Sequence, residues 1–260
     1  MNQPRAGHRR TPPGPILRLA RHTSADAVLA ITATVGGLLV LGLTAASAGV
    51  YDAVVEKDGV AGLDRPTLDH AIAWRTPHLD VLVTGFTNLG GAIGMTIIAT
   101  AITALMVWRW RSRTPLILML IAMAGSLTFT YVGKAIVGRA RPPLTDAVPP
   151  YEYAFSFPSG HTLNSTVIAG VVAYLVARRL SSRLARALCG IGAAIWALAM
   201  GASRVFLGHH WLTDVIFAWL LGLAWLALLI TAHRIFLAVR RRNDGDGDGS
   251  GSSPSDSGQP

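Results

Sequence analysis

Three short segments concentrate ionisable side chains in an otherwise apolar chain: KAIVGRARP (134–142), PSGH (158–161) and SRVFLGHHWLTD (203–214). His210 and Asp214 stand four residues apart. On a helix beginning near His210 they share one face, so the carboxylate can hold one imidazole nitrogen and orient the other. Such a pair makes an oriented nucleophile or base. His209 points about 100° away and reads as a neighbour that contacts either the residues behind the site or a headgroup. Lys134 and Arg141 are seven residues apart, two turns along roughly the same face, before Pro142 and Pro143 end the helix. Pro158, Ser159 and Gly160 offer a rigid entry, a hydroxyl cap and free N–H groups, which suit an anion at a helix N-terminus, and His161 follows them. Arg204 closes the preceding apolar run. Each feature also has a plainer reading: Lys134, Arg141 and Arg204 as cations snorkelling to an interface, Pro-Ser-Gly as turn chemistry, Asp214 as a polar contact between helices.

The elements that must position these residues are membrane helices. Of the 260 residues 51% are apolar and only 14% charged, and the mean hydropathy is positive. That balance points to an integral membrane protein rather than a soluble domain. Runs long enough for a bilayer core lie near residues 28–50, 88–108, 116–137, 163–176, 187–206 and 212–232. The fourth is short and should gain length from 159–162 and 177. Small residues in each run, as in GIGAAIWALAMGAS, let helices approach closely. The expected fold is all-α: a polytopic six-transmembrane-helix bundle.

Arginines set the orientation. Positions 5, 9, 10, 18 and 21 precede the first run; 109, 111 and 113 follow the second; 178, 179, 183 and 186 follow the fourth; 234, 240, 241 and 242 follow the sixth. These segments, and with them both termini, are expected in the cytoplasm. All three ionisable segments then fall on the outer side, at similar depth. Arg139 and Arg141 lie where positive charge is normally scarce, so another demand must hold them there. The excess of nine basic groups is explained by this topology, and nucleic-acid binding is not expected.

Residues 1–24 and 243–260 are expected to be disordered tails around a membrane domain at 25–242, since both lack apolar residues in a periodic pattern. DGDGDG carries Ser255 where a calcium loop starting at Asp244 needs glutamate, so no calcium site is expected. Cys189 stands alone in an apolar run and reads as packing. The outer connection 51–87 contains Trp74, His70 and His78 and reads as an interface anchor, with a substrate lid as the alternative.

Three cations, two histidines, one carboxylate and a helix N-terminus at one depth meet the needs of a tetrahedral phosphate: donors around its oxygens, an in-line nucleophile and an acid for the departing oxygen. The three segments resemble the signature motifs of the type-2 phosphatidate phosphatase family, which shares its site with vanadium haloperoxidases. Lysine, six residues, then Arg-Pro matches, as do the PSGH stretch and Ser-Arg followed at the family's spacing by His210 and Asp214. The likeness covers roughly residues 25–240 and its membrane branch.

The resemblance implies that His210 attacks phosphorus to give a phosphohistidine while Asp214 orients and charges it. It implies His161 as the acid for the leaving oxygen, and Lys134, Arg141, Arg204, Ser159 and the Gly160 backbone as the phosphate cradle. No metal and no cofactor are expected, because the cations take that part. The implied partners are the bilayer and a lipid phosphate or diphosphate, with a polyprenyl diphosphate first and phosphatidate or phosphatidylglycerol phosphate as alternatives. The expected location is the cell membrane, with the site on the extracytoplasmic side. A transporter would place similar groups in a bundle, but paired interrupted helices and matching halves are not seen. A vanadate-dependent peroxidase would share the residues but not the six apolar runs.

Overall fold

A computed structural model describes residues 15–247, with side chains for 27–243. Every regular element among them is helical: α1 (Pro15–Glu56), α2 (Asp64–Ala73), α3 (Pro77–Leu89), α4 (Ala92–Trp110), α5 (Thr114–Val137), α6 (Gly160–Ala177), α7 (Arg183–Phe206) and α8 (Leu212–Gly247), with short 3₁₀ turns at Gly59–Leu63 and Leu144–Asp146. Six helices are long and apolar enough to cross a membrane: Ala27–Glu56, Ala92–Trp110, Thr114–Val137, Gly160–Ala177, Arg183–Phe206 and Leu212–Asn243. Large apolar side chains on them face outward, among them Ile93, Ile97, Leu120, Leu188 and Ile195, as a hydrocarbon solvent requires.

The chain divides into two compact units. One is Gly36–Ile230; the other takes Met1–Val35 and Thr231–Pro260, of which the described parts are the N-terminal part of α1 and the C-terminal part of α8. The site lies within the first unit. Helix is described from Pro15 and to Gly247, so it overlaps the expected tails over residues 15–24 and 243–247. Residues 1–14 and 248–260 of those tails, including Ser255, lie outside the described residues.

Local chemistry sets the ends. Thr76 caps α3 by accepting from the Leu79 N–H, with Pro77 at the first position, and Ser182 caps α7 by accepting from the Ala185 N–H. Gly138, at φ 58°, ends α5 in the left-handed conformation and donates to the Lys134 carbonyl. A buried cluster of Met95, Ala99, Met106, Leu118, Met119, Ala122, Val167, Ile168, Val171 and Leu175 joins α4, α5 and α6. Close approach is enforced at Gly201, where a side chain would meet Trp219 and Val215 of α8.

The connection 51–87 is not a loop. α1 runs on to Glu56, and α2 and α3 fill most of the remainder. Pro77 and the capping Thr76 start a helix of 13 residues, too few to cross a bilayer. The segment is tied down by Arg75, whose Nε donates to the Phe206 carbonyl at 2.7 Å and Nη1 to the Asp146 carbonyl at 2.7 Å. Trp74 is 75% exposed, as an interfacial anchor would be.

Candidate active site

The end of α5, the start of α6, the end of α7 and the start of α8 meet at one end of the bundle. The Ser159 N–H donates to the Asp214 carbonyl at 3.3 Å and the Val148 N–H to the Leu207 carbonyl at 2.9 Å. Lys134, Arg141, Gly160, His161 and His210 line one cavity of about 450 Å³, together with Glu152 and Ala154. Apolar residues of α4, α5 and α6, including Met95, Met123, Leu127 and Ile168, continue its wall. Arg204 and Asp214 lie behind that surface, 1% and 0% exposed.

His210 is held from the side of Nδ1, which lies 3.3 Å from Asp214 Oδ2. The i, i+4 pairing foreseen from spacing is present, although His210 precedes α8 rather than starting it. Of the other Asp214 contacts, one is local, from Trp211, and two come from far away in the chain. Ser156 Oγ donates to Oδ2, the Trp211 N–H donates to Oδ2 at 3.0 Å, and Arg139 Nη1 donates to Oδ1 at 2.6 Å. The second Arg139 nitrogen reaches Asp64 Oδ2 at 2.6 Å. Asp64 in turn accepts from both the N–H and the hydroxyl of Thr213 at 2.8 Å. These two carboxylates are the demand that holds Arg139 at this end of the bundle. Sequence reading flagged that arginine as out of place but missed its use, and it missed Asp64 and Ser156 altogether.

On the cavity side, His210 Nε2 lies 3.1 Å from Arg141 Nη1, within hydrogen-bond distance. Burial first, and then the charges of Arg141 and Arg204, push the His210 imidazole well below its ordinary pKa. It therefore stands neutral at pH 7, with a lone pair on the cavity side. His161 is different: it lines the cavity and forms no hydrogen bond among the described residues.

One expectation needs correction. Ser159 occupies the N-cap of α6, but its side chain does not cap the helix. Its hydroxyl pairs with Thr162 Oγ1 at 2.9 Å, and its N–H is spent on Asp214. The N–H groups of Gly160 and His161 are left as the helix's unpaired donors. Of the two readings of His209, the contact behind the site is the one present, since the residue is buried. Its Nε2 lies 2.7 Å from the Val148 carbonyl, which fastens the 138–159 segment to the end of α7.

Glu152 is the residue that sequence reading had no signal for. Its Oε2 lies 2.8 Å from Arg141 Nη2, and its Oε1 accepts from Arg204 Nη2. Burial raises its pKa, but Arg204 and Arg141 more than offset this and hold the carboxyl at about 2. Arg204 also donates from Nη1 to Thr87 Oγ1 at 3.1 Å, while its buried Nε has no acceptor among the described residues. Lys134 donates from Nζ to the Phe155 carbonyl.

Residues 115–237 match the PAP2 superfamily. Phosphatidylglycerophosphatase B of Bacillus subtilis (strain 168) is 31% identical over 175 residues, or 67% of this chain and 85% of the relative. Undecaprenyl-diphosphatase of Sulfolobus acidocaldarius is 33% identical over 132 residues, or 49% of this chain and 59% of the relative. Among solved structures, a transmembrane PAP2-type phosphatidylglycerolphosphate phosphatase from Bacillus subtilis superposes with a TM-score of 0.66 at 28% identity, covering 76% of this chain and 96% of that one. Aquifex aeolicus LpxE shares the fold, with a TM-score of 0.52 at 22% identity over 65% of this chain and 94% of that one. A relative above 30% identity that is matched over most of its length, a common helical fold and the three clustered segments together place the chain: it belongs to the PAP2 superfamily and is a membrane lipid phosphatase.

Proposed function

We propose that the enzyme removes a terminal phosphoryl group from a polyprenyl diphosphate through a phosphohistidine on His210. The observation that carries the chemistry is the orientation of His210, with Nδ1 against Asp214 and Nε2 toward the cavity and Arg141. In the reaction, Nε2 attacks phosphorus and the bond to the leaving oxygen breaks. His161, unencumbered by hydrogen bonds, gives that oxygen its proton. Asp214, backed by Arg139, stabilises the positive charge left on His210. Lys134, Arg141, Arg204 and the Gly160 N–H neutralise the equatorial oxygens. Water then attacks the phosphorus–nitrogen bond, losing its proton to His161, and free phosphate and neutral His210 result.

Support for the polyprenyl substrate comes from the cavity of about 450 Å³ and its apolar wall. It has room for a phosphoryl group and the start of a single chain, and the Sulfolobus relative is an undecaprenyl-diphosphatase. A glycerolipid phosphate is the second reading, favoured by the phosphatidylglycerophosphatase matched over 85% of its length. A transporter finds no support among these relatives. Arginines 109, 111, 113, 178, 179, 183 and 186 cluster at the ends of the spans away from the site, which supports cytoplasmic termini and an extracytoplasmic site in the cell membrane.

Phosphate release by detergent-purified protein from polyprenyl diphosphate, phosphatidate and phosphatidylglycerol phosphate, with EDTA present, tests the reading. Wild type is expected to turn over the diphosphate fastest, and His210→Ala to lose on the order of 10⁴-fold or more. Equal release from both proteins would remove His210 as nucleophile, and faster glycerolipid turnover would replace the substrate.

A further inference from the structure

Arg141 and Arg204, the two guanidiniums proposed to hold phosphoryl oxygens, are already bridged by a carboxylate. Glu152 spends one oxygen on each. The bridge therefore stands where a phosphoryl group would present two of its oxygens. Its side chain is 30% exposed while Arg204 is 1% exposed, so the anion sits on the open side and the cation on the buried side. Glu152 belongs to the irregular stretch between the 3₁₀ turn Leu144–Asp146 and α6; no helix fixes its backbone. The backbone around it is held, Val148 and Ser156 by bonds to Leu207 and Arg139 and the Ala154 and Phe155 carbonyls by Arg141 and Lys134, so the part that can swing away is the Glu152 side chain.

We propose that Glu152 is an internal competitor: it occupies the phosphate cradle of the empty enzyme and must be displaced by the incoming phosphoryl group. The inference rests on the phosphatase reading above and concerns its selectivity. A terminal phosphoryl group carries a charge of about −1.5 to −2 at neutral pH, more than the single charge it replaces, so exchange is favourable. A phosphodiester headgroup of bulk phospholipid carries one charge, no more than the carboxylate, and exchange gains nothing. Glu152 thus screens terminal phosphates from the diester lipids that crowd the bilayer. Across the working pH range the carboxyl stays ionised, since Arg204 and Arg141 outweigh its burial, so acidification does not lift the competition.

The test is calorimetric titration of full-length, detergent-purified protein with inorganic phosphate, which needs no turnover, alongside inhibition of phosphate release by phosphatidylglycerol in mixed micelles. Removing an internal competitor restores the competent fraction of sites. Glu152→Gln is expected to bind phosphate about tenfold more tightly and to become inhibitable by phosphatidylglycerol where wild type is not. Its melting temperature should fall without ligand and rise with phosphate by more than that of wild type. Glu152→Asp, one methylene too short to span both guanidiniums, should lie between the two and covers the case in which the glutamine variant does not fold. Unchanged or weaker phosphate binding in a folded variant overturns the proposal and makes Glu152 a permanent strut. Wild-type protein that releases no phosphate from any lipid overturns the phosphatase reading instead, so the two failures are distinguishable.

Discussion

The two histidines of the site are built in opposite ways. His210 is 1% exposed and sits at the end of a chain of contacts through Asp214, Arg139, Ser156 and Asp64, drawn from four separate stretches of sequence. His161 lies on the first turn of α6, faces the cavity and is not hydrogen-bonded among the described residues. The difference matches the role proposed for each group. A nucleophile gains from having its attack direction and its charge partner set before substrate arrives, so that no reorganisation is left for the transition state. A group that shuttles a proton out and back must meet a leaving oxygen and then a water, and a fixed partner would compete with both.

Replacing His161 puts that contrast to its hardest test. His161→Asn is expected to slow lipid phosphate release by about 10²- to 10⁴-fold, the usual range for a general acid. The same variant should lose far less on p-nitrophenyl phosphate, whose leaving group departs without a proton. Equal losses on both substrates would make His161 a binding group and remove the asymmetry between the two histidines.

Arg139 tests the other side. It is 18% exposed at the side chain and joins two acids that are 6% and 0% exposed. Breaking a buried pair by removing one partner costs up to about 3–5 kcal/mol, because a buried charge is left uncompensated. Arg139→Met is therefore expected to lower the melting temperature in detergent and to reduce kcat by about one to two powers of ten while KM changes little, since Arg139 touches no cavity surface. Arg139→Lys, with one donor point in place of the fork, should recover part of both. A rise in KM with kcat unchanged would show that Arg139 belongs to the phosphate cradle instead.

This contrast also explains how far the sequence could be read. The six spans were legible because a bilayer imposes a length and a composition on each. The pairing of His210 with Asp214 was legible because both lie within one helical turn of each other. Arg139 was visible only as a charge on the wrong side, without its reason. Glu152, Ser156 and Asp64 reach their partners across 52, 58 and 75 residues, from irregular chain or a helix start, where no periodicity points anywhere. α2 and α3 were hidden because they are short, 10 and 13 residues, and hydropathy marks only runs long enough to cross a bilayer.

The smallest expected effect follows from the charge balance of the two regions. Burial, then Arg204 or Arg141, lowers the pKa of His209 and His210 below the ordinary 6.5, so between 6.5 and those lowered values the unfolded chain binds more protons than the folded one. Stability from this source is present above pH 6.5 and is lost as pH falls below it. Glu152, held at about 2 against an ordinary 4.5, repeats the pattern lower down: its contribution is present above pH 4.5 and fades toward pH 2. The melting temperature in detergent should thus decline in two stages on acidification. Glu152→Gln should remove the lower stage while leaving the upper one, because the histidines remain buried beside Arg204. A single decline that Glu152→Gln leaves unaltered would mean that the carboxylate bridge contributes nothing to stability, and that only the His210 side of the site is built under electrostatic tension.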